Sequence, residues 1–281
     1  MTLIEWADKT ANPLKVKGTQ PGAAYPGGNY CEMITSGCAL CFAGILNSRA
    51  NRFGGNGLKY GGTNQAAAPE MELNIDMLKS WSRMRKSNKI FVCSMTDWAG
   101  AWVKDWQMFA MLDAMRAAPK QTFMLLTKRP ERMSRTVSDW LMTSGLAQVP
   151  GNIWLGISAE NQAALDDRLP HLISTPVAVR FLSLEPLLGP IHLGWPGMQF
   201  IDWVIVGGES GTGARPLDVK WVSGILAQCQ AVGVPTFVKQ LGGHWAKAAG
   251  AQHKKGGLPD EWPEEMRLQM WPGEVWHGHG V

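Results

Sequence analysis

Long apolar runs are missing from this chain. Nothing approaches the ~18 consecutive apolar residues that a membrane-spanning helix requires, so no membrane partner is expected. The start, MTLIEWADKT, has no basic-then-apolar leader pattern, which points to the cytoplasm. Charge is scarce as well. Asp, Glu, Lys and Arg make up 18% of the residues, against about 25% in ordinary soluble domains, so much of the chain is destined for an interior. Cysteines number only five, and an odd count in a reducing compartment argues against a disulfide framework. There is no internal repeat and no low-complexity domain.

What is present is apolar bulk. At 281 residues and 45% apolar composition, the chain can bury one large core or two ordinary ones, and wholesale disorder is excluded. Fourteen tryptophans read mostly as core or cleft walls. A net charge of +4 permits a polyanionic partner without demonstrating one.

Six short runs organise the middle and end of the sequence: KIFVCSMTD from Lys89, TFMLLTKRP from Thr122, IWLGISAE from Ile153, VRFLSLEPLL from Val179, WVIVGGES from Trp203 and TFVKQLG from Thr236. Each is almost continuously apolar and ends in polar residues, the pattern of a strand covered on both faces. Their starts lie 24 to 33 residues apart, room for a strand and a crossover helix. Trp106 to Ala117 and Val219 to Ala231 carry helical spacing, the second with Gly233 and Pro235 placed as stop signals. A seventh strand is expected at Leu3 to Trp6. The fold class is therefore α/β, a (β/α) barrel of the TIM type, partial or closed, with an open doubly wound sheet as its rival. The barrel domain is assigned to residues 1–242. An irregular extension, 243–281, is expected to pack on the barrel, with His277 and His279 in a solvated tail. Asn51 to Gln65, rich in Gly and Asn, reads as a flexible loop.

The sharpest chemical signal is Cys31-x6-Cys38-x2-Cys41. Three thiols within eleven residues can converge on one centre, and soft thiolates suit iron–sulfur clusters or zinc. The nearest downstream histidine is His171, so a local Cys3His zinc site is not available. Three cysteines suit a 4Fe–4S cluster with one iron left open. Zinc completed by a distant residue, and three unrelated packing thiols, are the alternatives. Cys93 and Cys229, inside an apolar strand and a helix, read as packing residues.

Each strand also ends in polar residues: Ser94 and Asp97, Thr127 to Arg129, Ser158 and Glu160, Ser183 and Glu185, Glu209 and Ser210, Lys239 and Gln240. A barrel-mouth site needs such groups; helix caps and salt bridges closing the barrel top explain them too. The run Gly207 to Gly213 resembles an anion-cradling loop and equally a tight turn, with Arg215 nearby. Trp98, Trp102 and Trp106 share a face if helical, as a core stripe or as a stacking surface.

The ordered set of N-terminal IEW, the three-cysteine loop, FVCSMTD, LLTKRPERM, IWLGISAE, RFLSLEPLLGP and DWVIVGGESGTGARP resembles a phage and prophage family long of unknown function. That family is similar to the radical S-adenosylmethionine (radical SAM) superfamily. Two features depart from the superfamily pattern: the first cysteine gap is six, with Phe42 after the last cysteine, and Trp98 to Trp102 replaces a polar stretch. The resemblance implies a partial barrel whose 4Fe–4S cluster, on Cys31, Cys38 and Cys41, binds SAM and cleaves it to a 5′-deoxyadenosyl radical. It implies a cofactor-binding set of Ser94, Asp97, Lys128, Ser158 and Glu160, with Asp97 on the ammonium, Lys128 on the carboxylate and Ser158 with Glu160 on the ribose. Lys128, Glu185, Glu209, Arg215 and Lys239 form the implied catalytic or substrate-facing set. The expected partners are a nucleotide or nucleic-acid base as substrate, in a host cytoplasm if a phage encodes the chain, and a flavodoxin-like or ferredoxin-like electron donor. The expected outcome is isomerisation or another base modification. Two rival readings are a hydrolase or lyase with a divalent metal on Asp97, Glu160, Glu185 and Glu209, and a zinc-stabilised nucleic-acid-binding accessory protein.

Overall fold

The computed structural model describes residues 4–17, 27–49, 55–62, 68–194 and 197–274. In chain order the elements are β1 (Lys9–Ala11), β2 (Leu14–Val16), β3 (Glu32–Met33), α1 (Phe42–Asn47), β4 (Gly61–Gly62), β5 (Met71–Leu73), α2 (Ile75–Trp81) and β6 (Lys89–Val92). They continue with α3 (Asp105–Arg116), β7 (Thr122–Thr127), α4 (Pro130–Ser144), β8 (Val149–Ser158), α5 (Gln162–Ser174) and β9 (Val177–Leu184). The last are β10 (Trp203–Gly207), α6 (Val219–Val232), β11 (Thr236–Gln240) and α7 (Gly243–Ala249). Seven strands hydrogen-bond in the order β1-β6-β7-β8-β9-β10-β11, and the β1/β6, β6/β7, β9/β10 and β10/β11 pairs are parallel. This is the partial (β/α) barrel class: the sheet ends at β1 and β11 rather than closing on itself.

All six apolar runs are strands. Every residue of β10 is buried, as are three of the four in β6, so these strands carry no polar alternation. The seventh strand differs from its expected place. Leu3 lies outside the described residues, Ile4 to Trp6 is not a strand, and the edge position is taken by Lys9–Ala11. Trp6 is instead a plug, 2% exposed and packed on Phe91 with ring centroids 4.6 Å apart. Between β9 and β10 the crossover holds a short 3-10 turn, Gly197–Phe200, in place of an α-helix.

The chain divides into two compact units, Met1–Leu155 with Ser174–Ala178, and Gly156–Ile173 with Val179–Val281. In the first, α3 buries Met108, Met111, Leu112 and Met115, and Trp81 packs on Phe123. α4 starts with Pro130 and stops at Gly145, whose φ of +66° a side chain would resist. In the second, Phe181, Trp203, Phe237 and Trp271 form a chain of ring contacts. There α6 is capped by the Asp218 carboxylate, which accepts from the Lys220 amide, and ends at Gly233.

Residues 268–270 run along β11. The Val238 amide donates to Leu268, Met270 donates to Thr236, and the Trp203 indole donates to the Met270 carbonyl. Edge groups that would otherwise template pairing with another chain are thereby satisfied. His277 and His279 lie outside the described residues.

Gly156 marks the tightest packing in β8: a Cβ there would come within 2.5 Å of the Phe181 ring. Gly156→Ala is therefore expected to destabilise the protein by about 1–3 kcal/mol through overpacking. Thermal melting against the wild type checks this, and an unchanged melting temperature contradicts it.

Candidate active site

The cysteine loop lies in the first unit. Cys31 immediately precedes β3, which pairs in parallel with β4. Cys38 ends a single 3-10 turn, and Cys41 is the residue from which α1 starts. Gly and Asn make this loop an ordered one. Asn47, 1% exposed, accepts from the Asn29 amide at 3.1 Å and donates to Asn56 at 2.7 Å and to the Leu58 carbonyl at 2.9 Å. Within the loop expected to be flexible from Asn51, Asn56 and Leu58 are thus held by the Asn47 side-chain amide. Residues 51–54 and 63–65 lie outside the described part. Gly44 has no side chain where the Tyr60 ring packs, and the Tyr60 hydroxyl donates to Met95 beyond β6.

The loop is tied to the ends of β6 and β7 by one carboxylate and one guanidinium. Asp97, 8% exposed, accepts from the Thr127 hydroxyl at 2.6 Å, the Ala99 and Lys128 amides at 3.1 Å, and Arg129 Nη1 at 2.9 Å. Those four bonds fill the acceptor positions of a carboxylate. Arg129 Nη2 also donates to the Glu32 carbonyl at 3.4 Å and stands 3.8 Å from the Glu32 carboxylate. Its guanidinium lies 4.7 Å from the centre of the Trp102 ring. Glu32 is buried and accepts from Tyr30 at 2.8 Å, while Trp102 donates to Thr96, whose hydroxyl donates to the Tyr30 carbonyl. Arg129, Glu32, Tyr30 and Trp102 thus join the loop to the strand ends. The sequence shows Arg129 only as one more polar residue after a strand. Trp98 and Trp102 are buried, and Trp106, inside α3, is exposed. The three do not share one helical face, because α3 begins at Asp105.

The thiols are free. Burial pushes Cys31 well above the ordinary thiol range, and Asp97 and Cys41 push it further; Arg129 and the Asp97 amide oppose them. Burial raises Cys41 too, opposed by the Gly44 and Ala43 amides and by Lys128, while Cys38 adds to the rise. Among the described residues no three His, Cys, Asp or Glu side chains stand together as a finished metal cage. The donor chemistry nevertheless fits an iron–sulfur cluster: three soft ligands stand on one loop, with Arg129 and backbone amides close to Cys31 and Lys128 and backbone amides close to Cys41.

Ser94 exchanges hydrogen bonds with Asn12 across β6 and β1. Cys93 is buried, as expected, but has φ of +62°, a left-handed conformation that non-glycine residues seldom adopt. Cys229 is fully buried, its thiol pushed up to about 11 by burial.

In the second unit the strand-end carboxylates are each held by a cation. Glu160 and Arg168 form a pair at 3.1 Å that is almost wholly buried, and Arg168 also donates to the Ser158 carbonyl. Glu185 lies 3.0 Å from Lys239 and accepts from Ser183, while the Ser158 hydroxyl donates to its carbonyl. Gly207 leaves room for that carboxylate, which would stand 2.6 Å from a Cβ. Glu209 receives three hydrogen bonds from Arg215. Counting Asp97 with Arg129, all four acids of the divalent-metal reading are ion-paired, which counts against that donor set. Within the glycine run, Gly208 is closely packed, since a Cβ there would meet the Leu241 carbonyl at 2.5 Å, whereas Gly211 and Gly213 have open space and positive φ.

Burial opposes ionisation of Glu209, but the bonds from Arg215 outweigh it and hold its carboxyl below the ordinary range. A depressed carboxylate pKa stabilises the fold at neutral pH, and that contribution is lost as pH falls below the ordinary value of 4.5. Arg215→Met is expected to lower the urea midpoint at pH 7, with the gap to the wild type narrowing below about pH 4. A gap of equal size at both pH values would contradict this.

Three solved structures match this chain at low similarity. Two mutants of spore photoproduct lyase match at 10% identity with a TM-score of 0.39, covering 70% and 68% of this chain and 60% and 58% of theirs. Spore photoproduct lyase complexed with dinucleoside spore photoproduct matches at 10% identity and a TM-score of 0.38, over 68% of this chain and 57% of that one. This chain therefore spans less than two thirds of those proteins. No curated protein matches the sequence. A family model described as "Protein of unknown function (DUF5131)" matches residues 1–270, nearly the whole chain, which therefore belongs to that family.

Proposed function

We propose that this protein is a radical SAM enzyme in which Cys31, Cys38 and Cys41 hold a 4Fe–4S cluster. The observation that carries the reading is the loop itself. Three free thiols within one loop are anchored by Glu32 and Arg129 beside the ends of two sheet strands. When bound, the cluster would supply the electron that cleaves SAM to methionine and a 5′-deoxyadenosyl radical. The residues around it have separable tasks. Arg129 and the Asp97 amide favour the Cys31 thiolate, and the α1 amides with Lys128 favour that of Cys41. Lys128 is the group for the SAM carboxylate. Asp97, its acceptors filled, acts by fixing Thr127, Lys128 and Arg129 rather than by taking the ammonium directly. Ser94, Ser158 and Glu160 belong to the proposed cofactor set, and Glu185, Glu209, Arg215 and Lys239 to the substrate set. The substrate class is a nucleotide or nucleic-acid base, supported by the family resemblance and by the mildly basic charge. The proposed action is in a cytoplasm, with residues 1–242 as the catalytic domain and 243–281 as its extension.

The test is anaerobic purification followed by iron and sulfide analysis and incubation with SAM and a reductant. Stoichiometric iron and sulfide with 5′-deoxyadenosine release support the reading; zinc in place of iron, or intact SAM, refutes it. Deuterium passing from a labelled nucleotide into 5′-deoxyadenosine supports the substrate class. Transfer only from a peptide or a metabolite without base or phosphate refutes it.

A further inference from the structure

We propose that the outer face of α1, with the adjoining residues Leu58 and Lys59, is the docking surface for an acidic one-electron carrier protein. This rests on the reading that the cysteine loop holds a redox-active cluster. Phe42 and Ile45 lie one helical turn apart and are 44% and 37% exposed, and Leu58 is 38% exposed. Leu58 is fixed against the helix by the Asn47 amide, which donates to its carbonyl.

Charge indicates the occupant. Between Glu32 and Glu70 the chain contains no Asp or Glu. Arg49 and Lys59 are exposed beside the apolar residues, and among the described residues neither pairs with a carboxylate. An apolar centre with a cationic rim is the anatomy of a protein interface for an acidic partner. A nucleic-acid surface would be more uniformly basic and carry more phosphate contacts. Position supplies the reason for electron transfer. Phe42 follows Cys41 directly, and the Ile45 amide donates to the Cys41 carbonyl at 3.0 Å, so this face is the exterior of the thiol-bearing loop. The step balances simply: the carrier loses one electron, the loop-bound cluster gains it, and no proton or leaving group moves.

The experiment measures binding of an oxidised, acidic plant-type ferredoxin to the iron-loaded protein by thermophoresis, from about 20 to about 300 mM salt. Ile45→Glu combined with Lys59→Glu, and separately Leu58→Glu, are the variants. Binding should weaken about tenfold or more in the double variant and fall with salt in the wild type, while reduction by dithionite stays unchanged. Wild-type-like ferredoxin affinity in both variants overturns the proposal. So does loss of binding to a single-stranded oligonucleotide with ferredoxin binding retained, which would make this a nucleic-acid face. Iron is measured in the same samples. An iron-free wild type refutes the cluster reading, whereas iron-loaded variants with unaltered binding refute only the docking face.

Discussion

Alanine at Cys31, Cys38 or Cys41, one at a time, is expected to remove stoichiometric iron from anaerobically reconstituted protein, while Cys93→Ala and Cys229→Ala retain it. The difference follows from chemistry and place. The first three thiols lie within eleven residues on one loop, where soft sulfur ligands can converge on one centre. Cys229 is buried inside α6 and Cys93 is buried just beyond β6, so neither lies on that loop. Either outlying substitution should cost about 1 kcal/mol of stability, the ordinary effect of trimming a packed residue. Iron and sulfide assays on all five variants, normalised to folded protein by circular dichroism, give the answer. Equal iron in all five would remove the basis for the cluster assignment, and so would loss of iron in Cys229→Ala alone.

The parts of this molecule legible in its sequence are those governed by short-range patterns. β6, β7 and β10 announce themselves because a strand covered on both faces is apolar at nearly every position. The end of α6 is legible at Gly233 because a left-handed cap favours glycine. β1 is not legible. Lys9-Thr10-Ala11 is short, and its place is set by pairing with Ile90, Phe91 and Val92, a contact made some eighty residues away. The same limit applies to the site. The spacing of Cys31, Cys38 and Cys41 lies within one loop and can be read directly. The meeting of Glu32, Asp97 and Arg129 joins three distant segments, and no periodicity encodes it. Nor does a polar residue after a strand reveal its partner: Glu160 is ion-paired with Arg168, and Glu209 with Arg215, although both read alike as acids after an apolar run.

Arg129→Met is expected to lower stability by about 3 kcal/mol, the low end for breaking a buried ion pair by removing one partner. Asp97 and Glu32 are 8% and 3% exposed and would be left as uncompensated carboxylates, whereas Arg129 itself retains some contact with solvent. The variant should also lose iron, because the same guanidinium spans Glu32, next to Cys31, and Asp97 at the strand end. Arg129→Lys should lie between. An ammonium keeps the charge but lacks the planar fork that reaches both acids while facing Trp102. Stability and loop anchoring can then be separated. Adding Asp97→Asn and Glu32→Gln to Arg129→Met removes the buried charges, which should raise the urea midpoint again without restoring the tether. If iron content and the visible spectrum stay altered in that triple variant, Arg129 is a positioning residue for the cysteine loop. If iron returns with stability, its role is only to neutralise buried acid. Arg168→Met, which breaks the buried pair with Glu160 in the other unit, serves as the control. It should lose at least as much stability while keeping its iron per folded molecule, since the partners of Arg168 are Glu160 and the Ser158 carbonyl within that unit.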